Sequence, residues 1–203
     1  MSSSMRRAAR ATCSNDPLVL AGPGWAMIFW HMGIAAAIVY VTLGRRRIDY
    51  RFVLLGAVLP DLVDGALGLF FFEGPAGRWI AHSILAVVVV TVAIVVGLRR
   101  ERRLAVFGLG VGWLLHLVGD GMWAAPRTFL WPAFGTEFAT TPREPYSWDL
   151  FAHPLAHLGS WGGELVGVGI LAWFYVAFGL KHSERRRLFL RDGYLRPYAG
   201  EPS

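Results

Sequence analysis

The sequence predicts an all-α fold: a polytopic membrane helix bundle of about five transmembrane helices, with an aromatic outer loop or re-entrant segment. Two observations carry this reading. Of 203 residues, 55% are apolar, and they fall in long runs almost free of charge. Runs of about 20 apolar residues are long enough to cross a hydrocarbon core of roughly 30 Å. The basic residues cluster between those runs instead of interrupting them. Helices follow because backbone polar groups in lipid must be satisfied within the structure.

Residues 1–24 read as an N-terminal tail lying on the membrane surface, since they lack the short apolar core and cleavage site of a signal peptide. The bundle then covers 25–180, with expected spans at Trp25–Leu43, Phe52–Phe72, Trp79–Leu98, Leu104–Ala124 and Ser160–Leu180. The third holds "ILAVVVVTVAIVVGL", a composition suited to facing lipid. Between the fourth and fifth lies an outer segment, 125–159, with "FLWPAFG" and "YSWDLFAHPLAH". It is too apolar and aromatic for a plain solvent loop and reads as a re-entrant or interfacial lid, or as an aromatic belt at the headgroups. Residues 181–203 form a basic tail.

Charge sets the orientation. The linkers 44–51 and 99–103 and the tail 181–203 hold fourteen of the twenty Lys and Arg. The positive-inside rule then places these segments and the C-terminus in the cytoplasm, although Arg6, Arg7 and Arg10 run against the count. A net charge of +6 would suggest nucleic acid for a soluble protein. Here the arginines orient the chain, and no nucleic-acid partner is expected. Cys13 is the single cysteine, which excludes an intrachain disulfide and a thiolate zinc site.

Ionisable groups inside the spans are the functional signal, because each costs about 2.5–3.5 kcal/mol on insertion scales and needs a partner. They are His31, Asp61, Asp64, His82, His116, Asp120 and Glu164. At 1.5 Å per residue, the first six lie roughly 5–16 Å from the outer helix ends, in one slab of the outer leaflet. His116 and Asp120 are i,i+4, and Asp61 and Asp64 are i,i+3, so each pair shares a helix face. Imidazoles and carboxylates without thiolates suit Zn²⁺, with Mn²⁺ or Fe²⁺ as alternatives. The expected ligands are His31, Asp61, His82, His116 and Asp120. Asp64 or Glu164 is the candidate general base. Trp131, His153 and His157 in the outer segment are the candidate substrate contacts.

Four motifs occur in order: "GAVLPDLVD" at 56–64, "RWIAHSILA" at 78–86, "LLHLVGDGMW" at 114–123 and "FLWPAFG" at 129–135. Over about residues 25–135 they resemble the bacterial inner-membrane family of predicted metal-dependent hydrolases, the YdjM-like, LexA-binding type. The resemblance implies an inner-membrane location and a metal site on Asp61, His82, His116 and Asp120, with His31 beside them. Asp61-x-x-Asp64 stands where the family usually has Asp-x-Asp. Ala81 stands where it usually has Thr.

The expectation is a multi-pass metallohydrolase. Its metal would activate a water against a lipid-like phosphoester or ester, with membrane lipid as surroundings and substrate source. Two other classes use the same residues. An ion, proton or metal transporter would need the cluster to continue toward the cytoplasm, where the helices carry almost no ionisable group. A non-catalytic scaffold would hold a structural metal and dock partners through "KHSERRRLFLR".

Overall fold

A computed structural model describes residues 27–44, 48–70, 78–136, 138 and 158–196. All regular structure among them is helical. The helices are α1 (Ile28–Leu43), α2 (Tyr50–Gly56), α3 (Leu59–Phe70), α4 (Ile84–Gly97), α5 (Arg100–Gly119), the single turn α6 (Pro126–Phe129), α7 (Leu158–Ala177) and α8 (Ser183–Asp192). Single 3-10 turns lie at Ile80–His82 and Met122–Ala124.

Two of the five expected spans are broken, and the chemistry of the breaks is local. Pro60 lacks an N–H and cannot sit inside a continuous helix, so 50–70 divides after Gly56 and resumes at Leu59. Ser83 is extended, with φ −98° and ψ 152°, and its Oγ accepts from Ala86 N to cap α4. The residues before it form the 3-10 turn. At 1.5 Å per residue, the 16 residues of α1 and the 14 of α4 reach about 24 and 21 Å. The 20-residue α5 starts on the charged "RERR". Among the described residues, no helix is long and apolar enough to cross a membrane, which corrects the expectation of five unbroken spans.

Glycine contacts set the packing. Helix α1 packs on α7, and α2 packs on α5. A Cβ on Gly33 would lie 2.7 Å from the Gly167 Cα, and one on Gly167 only 2.1 Å from Phe29 O. A Cβ on Gly56 would sit 2.1 Å from Leu109 O, and one on Gly112 2.1 Å from Val53 O. Such backbone-to-backbone approach is how helices associate where apolar burial gives no driving force. Two apolar cores result. One joins Ala35, Val39, Tyr50, Val53, Ala57, Phe174 and Phe178. The other joins Ala81, Val87, Trp113, Leu117 and Met122. The outer face of α4 leaves Val88, Val89, Val92, Val95 and Val96 exposed.

The basic C-terminal segment does not trail away. Helix α8 returns to the α1–α2 linker, where Tyr50 N donates to Gly193 O at 2.9 Å and Arg51 Nη1 to Leu190 O at 2.5 Å. Leu195 is buried beside Ile48 and Tyr50.

Candidate metal centre

The two helix breaks build the site, because each frees backbone groups that polar side chains then satisfy. At the first break, Ala57 O accepts a hydrogen bond from His116 Nδ1 at 2.8 Å. At the second, Trp79 N donates to Asp64 Oδ2 at 2.6 Å and Ala81 N to Asp64 Oδ1 at 3.0 Å. His82 Nδ1 meets Asp64 Oδ2 at 2.7 Å. Trp113 Nε1 donates to Ala81 O at 2.7 Å, seating the turn on α5.

These bonds fix two tautomers. A carbonyl and a carboxylate can only accept, so both Nδ1 atoms carry the proton. In a neutral ring Nε2 is then the lone-pair acceptor, and the two Nε2 atoms face each other at 3.2 Å. His82 and His116 are fully buried, and no solvent separates them. Two converging lone pairs repel unless a shared proton or a metal cation lies between them.

Carboxylates surround the pair. Asp61 Oδ1 is 3.4 Å from His82 Nε2 and 3.6 Å from His116 Nε2. Asp120 Oδ2 is 3.6 and 3.9 Å from the same two atoms. Four tetrahedral ligands at about 2.0–2.1 Å from a zinc ion would stand roughly 3.3–3.4 Å apart. His31 adds its Nε2 at 3.1 Å from Asp120 Oδ1. Its ring lies 4.0 Å from that of His116, centre to centre. Two overlapping sets, His31–Asp61–His116 and His82–His116–Asp120, bring one ligand atom per residue within 4.8 Å of one another. The residues present thus fit a divalent metal with nitrogen and oxygen ligands.

Helix α5 organises this face. Gly108, Gly112, His116 and Asp120 recur every four residues, so two glycines seat α2 and the next two turns present the ligands. Asp120 closes the helix and Gly121 follows with φ 63°. Gly119 leaves room for His31, whose Nδ1 would be 3.0 Å from a Cβ there.

All five expected ligands are thus brought together, from α1, α3, the 3-10 turn and α5. The other expected roles are placed differently. Asp64, expected as a base, is 1% exposed and spends both oxygens on Trp79, Ala81 and His82. It stands behind His82, away from any water the pair could share. Glu164, the other expected base, accepts from Phe29 N at 3.0 Å and so caps the start of α1. That anchors the helix bearing His31. The Trp131 ring stacks on Phe138, and its Nε1 donates to Thr136 O at 3.3 Å, so its recorded partners lie within its own segment. His153 and His157 lie outside the described residues.

Sequence reasoning missed Arg78. It reads as a lone charge in a short turn, yet its Nε lies 2.8 Å from Asp120 Oδ2. Its partner is 42 residues away, so no local spacing signalled the pair.

No curated protein and no solved structure matched the chain. A family model described as the YdjM inner membrane protein matches residues 27–186. That range contains every expected ligand and the motifs that carry the resemblance, and the chain belongs to the YdjM inner membrane protein family.

Proposed function

We propose that this protein is a membrane-embedded, metal-dependent hydrolase, with Zn²⁺ held by His82, His116, Asp61 and Asp120 and with His31 beside them. One observation carries the reading: two buried Nε2 atoms meet at 3.2 Å, with oxygens of Asp61 and Asp120 3.4–3.9 Å from them, the spacing of ligands around one cation. A cation there offsets both the lone-pair repulsion and the buried carboxylates.

Bound Zn²⁺ would supply Lewis acidity toward a substrate oxygen and lower the pKa of a water toward 7. The chain's own groups do the rest. Asp64 orients His82, and Ala57 O orients His116. The His31 imidazole holds Asp120 Oδ1. Asp61 is the most exposed ligand carboxylate, at 20%. Its Oδ2 takes part in no ion pair among the described residues, so it is the group suited to accept the proton of the attacking water.

The membrane reading rests on the family and on the exposed valine face of α4. Broken helices are tolerated at membrane depth where the break is buried in protein, and here Ala57 O, Ala81 O and the Trp79 and Ala81 N–H groups have partners. The α2–α3 and turn–α4 pairs would then each traverse the bilayer as a discontinuous unit, in a multi-pass fold with a cytoplasmic C-terminus. A site opening toward the headgroups would take a lipid-like phosphoester or ester.

Metal content tests this first. Detergent-purified protein should carry near-stoichiometric zinc by elemental mass spectrometry. His116→Ala and Asp120→Ala should lose it while remaining monodisperse. A wild type that stays metal-free after zinc is supplied would remove the proposal's foundation.

A further inference from the structure

We propose that Arg78 is the anion-binding arm of this centre, and that the substrate is accordingly a phosphoester and not a neutral carboxylic ester. The inference rests on the metal-centre reading above and adds the substrate class to it.

Exposure orders the site from floor to mouth. His82 and His116 form the floor. Asp120 follows at 10%, Asp61 at 20% and Arg78 at 29% exposed. Asp61 and Arg78 are thus the most exposed groups around the two Nε2 atoms among the described residues. Asp120 Oδ2 lies between the Arg78 guanidinium and the histidines, so Arg78 Nε stands within about two hydrogen-bond lengths of the ligand atoms.

The guanidinium has donors to spare. It presents five N–H groups in a planar fork. Its Nε is paired with Asp120 at 2.8 Å, and its Nη groups make no hydrogen bond among the described residues. A phosphoryl group offers such a fork two anionic oxygens at matching spacing, whereas a neutral ester offers one weak carbonyl acceptor.

The arm is also held in place. Arg78 precedes Trp79, whose N–H is tied to Asp64 and whose side chain is buried. The carboxylate that orients His82 therefore also fixes the backbone from which Arg78 extends. Charge agrees with this role. Three carboxylates, Asp61, Asp64 and Asp120, meet one divalent ion and Arg78, leaving the site without surplus negative charge to repel an anion.

The test uses full-length, detergent-purified, zinc-loaded protein and inorganic phosphate as the probe, with affinity by isothermal titration calorimetry and zinc by elemental mass spectrometry. Wild type should bind phosphate. Arg78→Gln should keep its zinc and bind phosphate at least tenfold more weakly, with Arg78→Lys between the two. Unchanged phosphate affinity in Arg78→Gln overturns the proposal. So does loss of zinc in that variant, which would assign Arg78 to holding Asp120 alone, and so does a zinc-loaded wild type that ignores phosphate. Zinc-free wild type sinks the hydrolase reading separately, and phosphate binding that still depends on Arg78 would uphold the anion arm. Displacement of phosphate by dihexanoyl phosphatidic acid better than by glycerol 3-phosphate assigns the phosphoryl group to a lipid. Equal displacement assigns it to a soluble phosphate ester.

Discussion

Asp64 shows what one buried carboxylate can organise. It accepts two backbone N–H groups and the His82 Nδ1 proton with almost no exposure to solvent. Partners that orient a metal-ligating histidine typically change metal affinity by about 10–100-fold when mutated. Asp64→Asn retains one acceptor oxygen and turns a donor toward the same groups, so zinc affinity should fall by about that factor in a chelator competition. A variant with wild-type affinity would show that Asp64 serves folding alone. The five residues that converge were legible in the sequence because an ionisable group in an apolar run has a large insertion cost and few reasons to be there. The roles of Asp64, Glu164 and Arg78 were not. Asp64 meets backbone groups 15 and 17 residues away, and Glu164 meets one 135 residues away. Nothing in local spacing encodes such pairings.

At the scale of elements, the glycines on α5 decide whether Ala57 O can reach His116. A side chain on Gly112 would collide with Val53 O, and backbone cannot turn aside as a flexible side chain can. Gly112→Leu should therefore push α2 off α5, cost about 1–3 kcal/mol or more, and lower zinc retention as the His116 tautomer loses its anchor. Gly65 on α3 offers the contrast, since a Cβ there meets nothing within 4 Å. Gly65→Ala should be neutral or stabilising by up to about 1 kcal/mol. Thermal unfolding of both variants checks the pair, and similar losses in each would show that close approach is not what sets the packing. Helical class was readable from the apolar runs, and Pro60 announced the first break. The second was hidden, because Ser83 breaks the helix through a cap whose strength depends on Asp64 holding Trp79 and Ala81 from another element.

Across the whole molecule, the C-terminal helix closes on the α1–α2 linker. Gly193 has φ 75°, and a Cβ there would overlap the Asp49 carboxylate. Asp49 is itself buried and paired with Arg51. Gly44 has a similar φ of 68° with nothing near it. Gly44 has ψ −159°, a region open almost only to glycine, so Gly44→Ala should cost the backbone strain alone, about 1–3 kcal/mol. Gly193→Ala should in addition release α8, seen as faster tryptic cleavage at Arg185, Arg186, Arg187 and Arg191. Equal cleavage rates in the two variants would mean that the contact with Asp49 does not hold the helix.

The pairing of α1 with α7 carries a consequence for how the protein comes to exist. His31 is supplied by the first described helix, yet that helix packs mainly on one made more than a hundred residues later, and its opening N–H is capped by Glu164 from that later helix. A chain halted before α7 holds Asp61, His82, His116 and Asp120 but lacks the helix on which the His31-bearing helix mainly packs. The fifth arm is secured only after α7 has been made, so occupancy of the complete site reports that the first and seventh helices have met.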